Sequence, residues 1–212
     1  MERLEEIAER THRVLEAHTV ARDRALSITR TLIRHASHTI RAVHRGDNAD
    51  ALVELTSAKK LAAELQANLH EYPSVYFAGY TQDALKEFAE ASIVYALLNG
   101  KELPTPEELN LQHSTYLQGL AESVGEMRRR CLDILRDGHS EEAERLMDIM
   151  DEIYGVLVTM DYSDAITGGL RRLTDLVRGI VERTRGDLTI SLRQARLEAS
   201  LQSLEARLSS PS

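Results

Sequence analysis

Apolar residues recur along this chain at helical spacing and almost nowhere at the strict alternation of a strand. Leu4, Ile7, Val14, Ala21, Ala25, Ile28, Leu32, Ala36, Ile40 and Val43 follow near-heptad spacing without an intervening Gly or Pro. This predicts one long helix from Leu4 to about Val43, on the order of 60 Å at about 1.5 Å per residue. Gly46 stops it, and Asp47 or Asn48 can cap a second helix reaching about Leu69, with Ala51, Leu52, Leu55, Ala58, Ala62 and Leu65 as its apolar face. Tyr72-Pro73 breaks the pattern. A third helix begins near Thr81 and ends at Asn99-Gly100, and Lys101 to Pro104 is a short connection. Thr105-Pro106-Glu107-Glu108 is a helix start, with a cap, a first-turn proline and acids at the positive end of the dipole. The fourth helix then runs from Leu109 to Leu135, with an irregularity near Asn110 to Ser114. A fifth begins at Ser140-Glu141-Glu142 and runs to about Thr159. After a looser link from Asp161 to Gly169, a last helix runs from about Leu170 past Leu204, and Ser209 to Ser212 is a frayed tail. The expectation is an all-α protein, an elongated bundle of about six to seven helices forming one domain over residues 1–212.

The third helix departs from this pattern. Between Phe88 and Leu98 its only charged residue is Glu90. A helix apolar on all sides is normally buried, and a buried carboxylate needs a partner, a proton or a metal. Glu87 lies one turn earlier on the same side. The fourth helix carries Glu122 and Glu126 at i,i+4 spacing beside its apolar stripe of Leu117, Leu120, Ala121, Val124, Met127, Cys131 and Ile134. Two helices that each offer two carboxylates can hold Mg²⁺ or Mn²⁺ if their faces meet, because these ions take hard oxygen ligands. Glu122 and Glu126 also read as a solvated face with Arg129, Asp133 and Arg136.

Composition narrows the remaining classes. The 212 residues carry a net charge of −8, which argues against nucleic-acid binding by bulk charge and leaves room for a local basic patch. Arg30, Arg34, His38, Arg41 and Arg45 share one face of the first helix. They read as a stripe that tracks a phosphate backbone or as a solvated face. Tyr72, Tyr76, Phe77 and Tyr80 read as a plug between helices or as a platform for unpaired bases. His35 and His38 at i,i+3 read as exposed histidines or metal ligands. The late stripe of Leu197, Leu201, Leu204 and Leu208 reads as internal packing or a subunit interface. With one cysteine, Cys131, no intrachain disulfide can form. No apolar run approaches the roughly 20 residues of a membrane span, no signal-peptide core opens the chain, and a cytoplasmic protein is expected. A P-loop, Gly-x-Ser-x-Gly and Cys-x-x-Cys are absent.

Leu85-Lys86-Glu87-Phe88-Ala89-Glu90-Ala91 resembles the Leu-Gln-Glu-Tyr-Val-Glu-Ala segment of translin-associated factor X, in the translin family. Tyr116-Leu117-Gln118-Gly119-Leu120-Ala121-Glu122-Ser123-Val124-Gly125-Glu126-Met127-Arg128-Arg129 resembles that family's Tyr-Leu-x-Gly-x-x-Asp-x-x-Gly-Glu-Leu-x-Arg segment. Gly138 and Arg185-Gly186-Asp187-Leu188 resemble later elements of the same family. The resemblance implies an all-helical subunit of a hollow oligomer, with an octamer as the candidate size. It implies a Mg²⁺-dependent endoribonuclease of the catalytic type acting on single-stranded RNA, with single-stranded DNA as a further candidate. Glu87, Glu90, Glu122 and Glu126 would be its acids, since translin itself lacks the acid matching Glu90. A non-catalytic nucleic-acid-binding oligomer is the alternative. Glu122 stands where the family commonly has Asp. The segment Val75 to Gln82, which is basic in translin, holds no Arg, Lys or His here, so the Arg30 to Arg45 stripe becomes the candidate for nucleic acid.

Overall fold

Gly46 shows how the chain turns its helices. Its φ of +75° suits a residue without a side chain, and the backbone N–H groups of Gly46 and Asp47 close on the carbonyls of Val43 and Ala42 at 3.0 Å each. That ends α1, Glu2–His44. The Asp47 carboxylate then accepts from the Asp50 N–H and starts α2, Asn48–Leu69. The structure, a computed structural model, describes residues 1–209. The remaining helices are α3 (Pro73–Tyr76), α4 (Gly79–Leu98), α5 (His113–Leu135), α6 (Glu141–Thr159), α7 (Asp164–Thr167) and α8 (Leu170–Ser209), with no strand among the described residues. The fold is all-α as the periodicity predicts. Two four-residue helices, α3 and α7, occupy the expected links. The part of the expected tail beyond Ser209 lies outside the described residues.

One helix start differs. Thr105 and Glu108 make both reciprocal cap bonds, Thr105 N–H to Glu108 Oε2 at 2.8 Å and Glu108 N–H to Thr105 Oγ1 at 3.2 Å. Yet only about a turn follows, and α5 begins at His113. The cause is Asn110, whose φ is +53°. The Gln66 amide holds it there, donating to the Asn110 carbonyl at 2.6 Å and accepting from its side chain at 2.9 Å. A tertiary clamp thus overrides a good local cap, inside the stretch where the sequence suggests an irregularity.

The chain groups into two compact units, residues 1–119 and 120–212. In the first, α4 packs against α1 and α2. Leu32 and Ala36 of α1, Ala58, Ala62 and Leu65 of α2, and Leu85, Phe88 and Ile93 of α4 are sealed from solvent. Each large apolar side chain so buried contributes roughly 1.5–3 kcal/mol. Residues 2–17 of α1 are exposed throughout, so Leu4, Ile7 and Val14 are uncovered. In the second unit α6 packs along α8. There Arg128 donates to Thr184 Oγ1 at 2.8 Å and meets Asp187 at 2.9 Å. Leu197, Leu201, Leu204 and Leu208 of α8 are exposed. No helix among the described residues is long and apolar enough to cross a membrane.

Candidate metal centre

α4 is buried on all sides from Phe88 to Ala96. Its apolar composition brings this about, and it carries Glu90 in with it, at 9% exposure. Ser92, the other buried polar residue of this run, returns its hydroxyl to the Phe88 carbonyl at 2.7 Å. Glu87, one turn earlier, is half-buried.

The approach of α5 to this helix is set by Gly119. A Cβ at that position would stand 2.7 Å from the Ala89 Cβ and 3.0 Å from both the Glu90 nitrogen and the Lys86 carbonyl. Ordinary side chains do not tolerate such spacing, so the two backbones meet only because both partners are small. Thr115 fixes the same pair of helices a turn earlier, donating to Gln82 Oε1 at 2.6 Å. Glu122 follows Gly119 by three residues and stays on the same face of α5. One carboxylate oxygen each from Glu87, Glu90 and Glu122 lies within 4.8 Å of the others.

This acidic triad could hold a metal ion. In an octahedral Mg²⁺ shell with bonds of about 2.1 Å, ligand oxygens stand about 3 Å apart across an edge and about 4.2 Å apart across the ion. The spacing therefore needs only small side-chain adjustment to embrace a cation. All donors are carboxylates, which favours a hard ion over one preferring nitrogen or sulfur. Glu126 is not among the three. It is half-buried one turn further along α5, 3.6 Å from the Arg129 guanidinium.

Lys86 belongs to the same neighbourhood. Its side chain is 16% exposed, and its Nζ lies 3.8 Å from Glu87 Oε1. Sequence reasoning missed both Lys86 and Gly119. A glycine inside a helical pattern signals close packing, and that signal was present at Gly119.

The basic row lies within the first unit. Arg30, Arg34, His38, Arg41 and Arg45 are all exposed. Arg45 pairs with Asp50 at 3.1 Å, and the Arg41 Nε donates to the Ser37 carbonyl at 3.2 Å. Among the described residues, Arg30 and Arg34 meet no carboxylate at ion-pair distance. His35, also on α1, sits 2.6 Å from Glu54 Oε2, and His38 is 3.8 Å from the same oxygen. That carboxylate partly neutralises the middle of the row. In the aromatic link Tyr72, Tyr76 and Tyr80 are half-buried, while Phe77 is 61% exposed and meets Tyr76 edge to face.

No family model matches the chain. An uncharacterized protein of Methanocaldococcus jannaschii is 29% identical over 189 residues, 89% of this chain and 84% of that protein. AfC3PO, solved in complex with duplex RNA, is 32% identical with a TM-score of 0.80, over 92% of this chain and 98% of that one. AfC3PO solved by itself is 31% identical with a TM-score of 0.79, over 92% and 99% of the two chains. NeC3PO without ligand shares the fold, with 22% identity and a TM-score of 0.74 over 90% and 98%. Fold and site together define an all-helical protein with an acidic triad on two closely apposed helices. The chain belongs to the translin family, alongside the C3PO proteins.

Proposed function

We propose that the protein is a Mg²⁺-dependent endoribonuclease that cuts single-stranded RNA as a homo-oligomer. The observation that carries this reading is the triad of Glu87, Glu90 and Glu122, with carboxylate oxygens within 4.8 Å of one another. A divalent cation held there supplies activated water and charge neutralisation at the phosphodiester. Glu90 anchors the site from a buried position. Glu87 and Glu122 are more open to solvent. Glu126 is the candidate fourth acid, and one of these carboxylates acts as general base. Mn²⁺ suits the same donors.

The exposed row of Arg30, Arg34, His38, Arg41 and Arg45 is the proposed track for the RNA backbone. Single-stranded DNA fits the same electrostatics. Self-assembly has its own support in the uncovered Leu4, Ile7 and Val14 of α1 and Leu197, Leu201 and Leu204 of α8, because such apolar stripes favour association. An octamer inside the cytoplasm remains the working picture.

A second reading rests on that row and on the RNA-bound relative: a translin-like oligomer that holds RNA or DNA without cutting it. One experiment separates the two. Labelled single-stranded RNA, with a duplex control, is incubated with the purified protein and with Glu90→Ala, in Mg²⁺ or in EDTA. Cleavage of the single strand that needs both Mg²⁺ and Glu90 is the expected result. Retention of intact RNA under every condition selects the binding protein.

A further inference from the structure

Lys86 has no role in the reading above, yet it sits at the acids. Its side chain is 16% exposed, and its ammonium lies 3.8 Å from Glu87 Oε1. Glu90 is 9% exposed, and the triad gathers three negative charges within a few ångströms. Holding an ammonium out of water is costly unless acids surround it, and gathering three carboxylates is costly unless a cation joins them. Each group answers the other's need.

We propose that Lys86 is the resident counter-cation of this site, competes with the divalent ion for Glu87, and turns to the substrate phosphate once that ion is bound. The proposal rests on the reading of the triad as a metal centre and concerns a residue that reading does not use. Its logic is charge balance. With Lys86 in place the metal-free cluster carries about −2 instead of −3. A divalent cation alone leaves the three carboxylates at about −1, so their hold on the ammonium weakens. The lysine has a long flexible stem and three donors that can follow a phosphate oxygen. Its backbone is fixed, because the Lys86 carbonyl is one of the atoms against which Gly119 packs. Only the side chain has freedom to move.

Removing the charge should therefore move two readouts in opposite directions. Mn²⁺ binding is measured by electron paramagnetic resonance of the free ion, on the full chain at fixed pH. Lys86→Gln and Lys86→Met should bind Mn²⁺ more tightly, on the order of tenfold, because a positive charge about 4 Å from a ligand is gone. At saturating metal the same variants should cut single-stranded RNA more slowly, also on the order of tenfold, because the phosphate has lost a cationic partner. Lys86→Arg should restore both toward wild type. A residue that merely packs would weaken both readouts, and that result overturns the proposal. So does unchanged Mn²⁺ affinity in the variants when the wild type binds the ion. If neither wild type nor variant binds Mn²⁺, the metal-centre reading itself fails, and this inference with it.

Discussion

Gly119 and Ala89 set the distance between α5 and α4: a methyl group on Gly119 would stand 2.7 Å from the Ala89 Cβ. Nothing flexible relieves the clash, since the next atoms met are the Glu90 nitrogen and the Lys86 carbonyl, both backbone. Gly119→Ala should force the helices apart, and overpacking of this kind costs about 1–3 kcal/mol. Because Glu87 and Glu90 lie on one helix and Glu122 on the other, the candidate metal ligands would spread with them. The expected outcome is a lower Tm together with Mn²⁺ affinity weakened by on the order of tenfold, roughly 1.4 kcal/mol. Equal Mn²⁺ affinity in Gly119→Ala and wild type would show that helix spacing does not govern the site.

Much of this site was legible beforehand, for a physical reason. The spacing of Glu87 and Glu90, and the apolar run that carries Glu90 inward, are one-dimensional facts that a helix turns into geometry. Which acids of α5 would join them was not legible. Glu122 and Glu126 have the same spacing logic, and the choice of Glu122 for the triad depends on where α5 touches α4. The long helices were readable from periodicity over many residues. α3 and α7, four residues each, are too short to show a period. The halt at Asn110 was hidden because its cause, Gln66, lies 44 residues away in sequence.

Metal binding should also be visible as stability. A ligand that binds only the folded state raises stability by about 2.7 kcal/mol at a hundred times its Kd. Wild type should therefore show a Tm that climbs with Mg²⁺ or Mn²⁺ and falls back with EDTA. In Glu90→Gln the metal-dependent rise should be lost, since the most buried ligand has gone neutral. Glu126→Gln should keep most of it, because Glu126 lies outside the triad. A calorimetric titration with each cation provides the check, and a metal-dependent rise that survives in Glu90→Gln would remove Glu90 from the site.

The basic row makes a different kind of prediction, one about salt. Arg34 and Arg41 are exposed on the same face of α1 and far from any role in the core. Replacing both with Ala should leave the Tm nearly unchanged. If both contact phosphates, binding of single-stranded RNA should weaken, and the slope of log K against log salt should become shallower by about 1.4. A gel-shift series over several salt concentrations measures both quantities. An unchanged slope would mean that nucleic acid, if bound, follows another surface.

The alkaline limit of stability should follow from three weak acids, the buried thiol of Cys131, the buried phenol of Tyr116 and the half-buried phenol of Tyr76. Burial pushes the Cys131 thiol from its ordinary 9.0 up to about 11, against the pull of the nearby Arg128 guanidinium. Burial likewise raises Tyr76, despite hydrogen bonds from Gln82 and Gln112 that act the other way. For Tyr116, burial and then the charges of Glu107 and Glu108 push upward. A raised pKa means that the folded protein keeps its proton to higher pH than the unfolded chain does. The stability this contributes is complete below the ordinary values, 9.0 for the thiol and 10.0 for the phenols, and is lost as pH climbs through the raised ones. Denaturant midpoints should hold steady from neutral pH to about pH 9 and then fall steeply. At pH 8 the thiol should also ignore a soluble disulfide reagent until denaturant exposes it, because a buried, protonated sulfur is a poor nucleophile. Cys131→Ser would report the thiol's share of the alkaline loss, and an alkaline profile identical to wild type would assign that loss to the two phenols.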